Sequence, residues 1–165
     1  MAANDNLGKM GEMNALILTA QMGKLHPRVE PLRHTATNMP DNGVDVELKH
    51  TEQHWQDIQA IVQGRQTQFS GSLNDTSPNR TTRIDVKNHQ GKLSKPQVEK
   101  FIGDCAKNPT MNGDILLGGN GLTKGAEQAL RDGQAAYPQR KIAYIDNDGW
   151  ARLNQAVLLP TLPEK

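Results

Sequence analysis

The stretch Arg80–Cys105, RTTRIDVKNHQGKLSKPQVEKFIGDC, changes its hydrophobic period within a few residues, and no other feature constrains the fold as much. From Arg80 to Lys87 the residues alternate, with Ile84 and Val86 on one side of an extended strand and Arg83, Asp85 and Lys87 on the other. Residues two apart on a strand share a face, so Asp85 and Lys87 stand side by side at the edge of an apolar layer. Gly91 and Lys92 supply a turn. Ser94 then opens a helix as N-cap, with Gln97 three residues on to reach back to it, a capping box. Val98, Phe101, Ile102 and Cys105 follow at the i, i+3, i+4, i+7 spacing of one apolar helical face. A helix N-terminus is thereby delivered close to a strand carrying a carboxylate and an amine, an arrangement suited to a metal ion and a phosphate.

The flanking sequence supplies the rest of the layers. From about Gly8 to Gly23, Met13, Leu16, Ile17 and Ala20 recur at helical spacing, and residues 1–7 are polar and expected to be loose. Arg28–Ala36 is expected to hold a first strand, and NMPDNG at 38–43 is turn chemistry. In the next strand Val44, Val46 and Leu48 face inward and Asp45, Glu47 and Lys49 outward. Thr51 to about Gln66 reads as a helix with Trp55, Ile58 and Val62 on one face. Residues 67–79, rich in Ser, Asn, Gly and Pro, are expected to form a long mobile loop. Beyond the central strand and helix, DILLG at 114–118 is a continuously apolar run suited to a strand buried on both faces. Gly118, Gly119 and Gly121 flex the chain ahead of a helix capped by Thr123. KIAYID at 141–146 is a further strand, and Asp148 caps a last helix. The tail from Pro160 is expected to fray. This order predicts an α/β sheet with helices on its faces, in one domain spanning 1–165.

Length and charge narrow the classes. One hundred and sixty-five residues suit one core, and 4% aromatic content makes that core aliphatic. A net charge of +1 leaves no whole-molecule field to gather nucleic acid. Between Arg80 and Lys107, however, Arg80, Arg83, Lys87, Lys92, Lys95, Lys100 and Lys107 face only Asp85, Glu99 and Asp104. Cys105 is the only cysteine, which excludes an intrachain disulfide and a cysteine-pair zinc site and marks it as a buried structural thiol. The apolar run Ala15–Ala20 is too short to span a bilayer and lacks a basic lead, so the expectation is an intracellular protein with no membrane partner.

Two strands share a design in which an apolar face backs a charged one, with Asp45 in one and Asp85 and Lys87 in the other. If they pair, two carboxylates converge on one Mg²⁺, which takes oxygen ligands and keeps waters. Lys87 would then position an attacking water and offset transition-state charge, the requirements of phosphodiester hydrolysis. An acid-x-lysine string alone is common and fits a plain surface strand equally well.

The surroundings carry more. NGVDV at 42–46, IDVKNHQGKLSKPQVEKFIGD at 84–104, DILLGGNGLTKGAEQAL at 114–130 and KIAYIDNDGWARL at 141–153 together resemble the Mrr-type catalytic domain of the PD-(D/E)xK nucleases. The resemblance runs from about residue 40 to 155. It implies a restriction-endonuclease-like mixed central β-sheet and a metal-dependent DNA endonuclease using Mg²⁺, or Mn²⁺ in its place. It makes Asp45 and Asp85 the metal-binding acids, Lys87 the motif lysine and Gln97 a polar residue near the site. Glu12 corresponds to an extra acid of some relatives. Lys92, Ser94 and Lys95, with His89, would meet the DNA backbone. Family members mostly carry Glu or Gln where Asp85 stands. Thirty-nine residues separate Asp45 from Asp85 where a short hairpin is usual, which makes 51–80 an insertion.

Rival readings remain. Pro40-Asp41 with Glu47-Leu48-Lys49 spells P-D-x5-E-x-K, but five residues cannot turn the chain to set Asp41 opposite Glu47; Glu47 stays a reserve ligand. His50 and His54, four apart, suit a zinc site only if both lie on one helix. GGNG at 118–121 lacks the Gly-Lys-Ser/Thr context of a phosphate-binding loop and reads as a flexible turn. Within the enzyme class, a junction- or flap-specific nuclease is the nearest alternative. From another class, the chain is a DNA-binding or assembly module with little catalysis. Specificity would come from DNA shape, a homodimer or a separate targeting partner.

Overall fold

Five strands join edge to edge in chain order: β1 (Glu30–Arg33), β2 (Val46–Thr51), β3 (Asn79–Lys87), β4 (Gly113–Gly118) and β5 (Lys141–Ile145). The structure, a computed structural model, describes residues 2–33, 43–70 and 74–159. β2 pairs antiparallel with both β1 and β3, while β3, β4 and β5 pair parallel, so β3 is the strand at which the pairing changes sense. Helices α1 (Ala2–Leu25), α2 (Glu52–Val62) and α5 (Asn147–Ala156) cover one face. Helices α3 (Lys95–Gly103) and α4 (Lys124–Ala136) cover the other. The predicted α/β sheet with helices on both faces is what forms, and it is compatible with a restriction-endonuclease-like fold. Among the described residues no helix is long and apolar enough to cross a membrane.

Two aliphatic cores follow from the period-2 side-chain direction of the strands. Val46, Leu48, Ile84, Val86, Ile115, Leu117 and Ile145 meet Leu18, Trp55, Ile58, Trp150 and Leu153 on one side. Leu116 and Ile142 meet Val98, Phe101, Leu122 and Ala126 on the other. β4 is buried at all six positions, as its unbroken apolar run requires.

Element boundaries shift for identifiable reasons. α1 starts at Ala2 rather than about Gly8, since propagation adds one hydrogen bond per residue and no proline opposes it. α2 stops at Val62, short of Gln66, because Gly64 at φ +75° turns the chain out of the helix. α5 is capped by Asp146, which accepts the Gly149 N–H at 2.8 Å, so the expected cap Asp148 lies inside the helix. The expected turn at 38–43 lies outside the described residues up to Asn42, as do Pro40, Asp41 and the tail from Pro160.

The long connection after α2 is held rather than loose, save that 71–73 lie outside the described residues. Phe69 is buried. The Asp57 carboxylate accepts from Gln66 Nε2 at 3.0 Å and from Ser70 Oγ at 2.7 Å. The buried Asp75 carboxylate is hydrogen-bonded with Thr51 Oγ1 at 2.6 Å, Ser77 Oγ at 2.5 Å and His26 Nε2 at 2.7 Å. Burial opposes ionisation of Asp75, but those bonds outweigh it and leave the carboxyl well below the usual range. Composition could not show this, because the bonds from Asp75 to Thr51 and His26 join the loop to elements 24 and 49 residues away. Nor do His50 and His54 form the zinc pair weighed above. Both ring nitrogens of His50 are hydrogen-bonded, to the Thr51 carbonyl at 2.8 Å and to Thr82 Oγ1 at 2.7 Å.

His54 stacks on Phe69 with ring centroids 4.8 Å apart, and its Nε2 has no hydrogen-bond partner among the described residues. Burial, with His50 and His26 nearby, drives its pKa from 6.5 down to about 3. A histidine held neutral by folding contributes stability above its unfolded pKa and loses it as pH falls toward the folded value. Stability should therefore fall as pH drops below about 6.5, by up to about 1.4 kcal/mol per pH unit from this one group. His54→Phe should flatten that slope while keeping the stack, as thermal melts across the acid range would register.

Candidate active site

β3 carries the centre of the site. Ile84 and Val86 pack into the layer under α1, α2 and α5, which turns Arg83, Asp85 and Lys87 toward α3 and α4. The sequence pattern gave these three an open charged face, and the structure closes it. Arg83 is 0% exposed and Asp85 3%, and only the Lys87 side chain, 28% exposed, reaches solvent. Lys87 Nζ lies 3.3 Å from Asp85 Oδ1.

Asp45 arrives from the turn before β2 and does not point outward as alternation suggested; it is 7% exposed. Its backbone N–H donates to the Ile84 carbonyl at 3.0 Å, and its Oδ2 accepts the Val86 N–H at 2.7 Å. Those two β3 groups flank Asp85, so Asp45 is held alongside it despite the long chain between them. Glu47 stands opposite Arg83 in the β2–β3 register, on the face that carries Asp85. Glu12 follows Gly11, whose packing against Val86 and Asn88 sets α1 on the opposite face of the sheet.

The C-terminal ends of β3, β4 and β5 meet the N-termini of α3, α4 and α5, the edge at which open parallel sheets bind ligands. Residues 88–94 and 118–123 are joined there by a Leu93–Leu122 bridge, with Leu93 N to the Gly121 carbonyl at 2.9 Å and Asn120 N to the Gly91 carbonyl at 2.8 Å. Lys92, Lys95 and His89 are exposed along this edge, and Ser94 is half-buried. The carbonyl of His89 accepts from Asn147 Nδ2 at 2.9 Å. Gln97 closes the predicted capping box, its Oε1 accepting the Ser94 N–H at 2.8 Å. The glycines of GGNG serve close approach rather than looseness. A Cβ on Gly118, at φ +120°, would collide with the Lys87 carbonyl, and one on Gly119 would lie 2.7 Å from Leu93 Cγ.

Burial pushes the Asp85 carboxyl above its ordinary range, against the opposing charges of Lys87, Arg83 and Lys100. By donor chemistry, the carboxylates of Asp45 and Asp85 are the hard oxygen ligands that Mg²⁺ or Mn²⁺ accepts. Among the described residues no group of three or more His, Cys, Asp and Glu side chains is arranged to hold a metal, so waters and a phosphate would have to complete the shell.

What the pattern missed is the buried network behind the site. Asp114 opens a strand buried on both faces, and such a carboxylate demands a cation. It accepts from Arg83 Nε, from Arg140 Nε at 2.8 Å and from Arg140 Nη2 at 2.7 Å. The available signal was Asp114 itself, since a carboxylate at the head of a run buried on both faces requires a cationic or hydrogen-bonding partner. Comparison with protein-family models and with curated proteins finds no match for this chain.

Two stability changes follow. An acid whose folded pKa is raised contributes stability at low pH and loses it as pH rises through the folded value, so ionised Asp85 weighs against folding at neutral pH. Asp85→Asn should raise the neutral-pH melting temperature by a few degrees. Gly118→Ala should lower stability by about 2 kcal/mol or more, since both its φ and its contact with a backbone carbonyl are lost. Denaturant titrations of the two variants against the parent test both.

Proposed function

We propose that this chain is a divalent-metal-dependent DNA endonuclease that hydrolyses phosphodiester bonds. The observation that carries the reading is Asp45, bonded to the β3 backbone on both sides of Asp85, with Lys87 in contact with Asp85. Asp45 and Asp85 would hold Mg²⁺, or Mn²⁺ in its place, and the bound ion would supply Lewis-acid polarisation of the scissile phosphate. Lys87 Nζ orients the attacking water and offsets charge developing on the phosphoryl oxygens. Lys92, Ser94, Lys95 and His89 border the same edge and contact backbone phosphates, which sets position on the duplex without reading bases. Gln97 fixes the first turn of α3, where amide N–H groups favour an anion. DNA shape, a second copy of the chain or a targeting partner would supply specificity, and a junction or flap nuclease is a variant of the same chemistry.

A second reading, a DNA-binding or assembly module with little catalysis, draws on the Lys87–Asp85 contact, which already neutralises the buried carboxylate. Incubating supercoiled plasmid and branched DNA with Mg²⁺ or Mn²⁺ separates the two. The wild type should cut, and Asp85→Asn and Lys87→Ala should each lose about 100-fold or more in rate. Cleavage that survives both substitutions refutes the assigned site. DNA held in EDTA, with an affinity that falls steeply with salt and without cleavage in metal, marks the binding module.

A further inference from the structure

The guanidinium of Arg83 lies behind the carboxylate pair, and its donors reach three separate elements. Nε donates to Asp114 on β4, Nη1 to the Gly43 carbonyl at 3.1 Å, and Nη2 to the Phe101 carbonyl at 2.5 Å and Cys105 Sγ at 3.4 Å. The group sits over the Phe101 ring, 4.5 Å from its centroid. Asp114 is in turn fixed by Arg140, which also donates to the Cys105 and Asn108 carbonyls at 3.2 and 2.8 Å. Such a buried ion network is a poor source of stability, because desolvation consumes most of the attraction. What a rigid fork of donors does provide is direction.

We propose that Arg83 is the positioning residue of the carboxylate pair, gripping the Gly43 carbonyl and so delivering Asp45 to Asp85. Three consecutive attachments carry the segment 43–45 along β3. Arg83 holds the Gly43 carbonyl, the Ile84 carbonyl accepts the Asp45 N–H, and the Val86 N–H donates to Asp45 Oδ2. Between Gly43 and Asp45, Val44 is fully buried, which leaves the segment little freedom to rotate. Gly43 lies at φ +79°, and a Cβ there would press on Asp104 and come within 2.9 Å of Arg83 Nη1, so the carbonyl approaches the guanidinium because no side chain intervenes. The other acceptors of Arg83 belong to layers that packing already sets. Gly43 is the acceptor that leads into the site.

Arg83 could act on the site by charge or by geometry, and the two separate experimentally. Arg83→Lys keeps the charge and can reach Asp114, but one ammonium cannot also span the Gly43 and Phe101 carbonyls. The catalytic consequence rests on the metal-dependent reading above, whereas the structural one does not. The Val86 amide reports directly on the Asp45 carboxylate that it binds, so its hydrogen exchange is the first measurement, taken relative to the Leu116 amide in buried β4. In Arg83→Lys the Val86 amide should exchange about tenfold faster relative to Leu116. Mn²⁺ affinity by calorimetry should fall by about 10- to 100-fold. Arg140→Gln, which loosens Asp114 without touching 43–45, should lower overall stability and leave that exchange ratio unchanged. Should Arg83→Lys fail to fold, Gly43→Ala breaks the same contact from the other side and should show the same rise. An unchanged ratio in the folded variant, or an equal change in Arg140→Gln, overturns the proposal. A wild type that neither binds Mn²⁺ nor cuts DNA, with the exchange result as expected, keeps the positioning role and sinks the nuclease reading alone.

Discussion

The buried ion network of Arg83, Asp114 and Arg140 is the interaction on which the rest of the molecule depends. Asp114 sits at the head of a strand covered on both faces, so its charge must be matched inside the protein, and two guanidiniums match it. Each arginine then spends its remaining donors on backbone carbonyls of other elements: Arg83 on Gly43 and Phe101, Arg140 on Cys105 and Asn108. The connection into β2, the end of α3 and the turn before β4 are thereby tied to one point. Removing Asp114 would leave the fully buried Arg83 guanidinium without its carboxylate, a far larger penalty than the network's net contribution to stability.

That point is also the floor of the candidate active site. Asp85 lies one step along the same face of β3, in a position where burial disfavours its charge. Asp45 is drawn in beside it by the β3 backbone. The mouth of the site is built differently, from glycine. Gly118 lets β4 pass against the Lys87 carbonyl, and Gly119 lets the following turn seat Leu93. A rigid floor and a closely packed rim hold the charged groups at one sheet edge, where the three helix N-termini also gather. Preorganisation of this kind lets electrostatic groups act without first rearranging.

The opposite face shows the same economy of buried acids. Asp57 and Asp75 fasten the connection between α2 and β3 to the helix and to β2, and Glu52 joins α2 to β3 through Arg80 at 3.1 Å and to β5 through Lys141. The segment 51–80, long for a link between paired strands, therefore contributes Trp55, Ile58, Ile61 and Phe69 to the main core.

Local physics was sufficient for much of this. Alternation marked β2 and β3, helical spacing and the Ser94–Gln97 box marked α3, and the apolar run marked β4, because each depends on neighbours within a few residues. The Asp85–Lys87 pairing was legible for the same reason, as two residues on one strand share a face. Tertiary structure alone decided that the charged side of β3 is covered, that Arg83 is buried, that Asp45 turns inward, and that a polar loop is fastened by Asp75. In each of these a deciding partner is remote in the chain: 18 residues between Arg83 and Phe101, 24 between Thr51 and Asp75, and 41 between Val86 and Asp45. Periodicity assigns a side chain to a face of its own element, but only packing determines what covers that face.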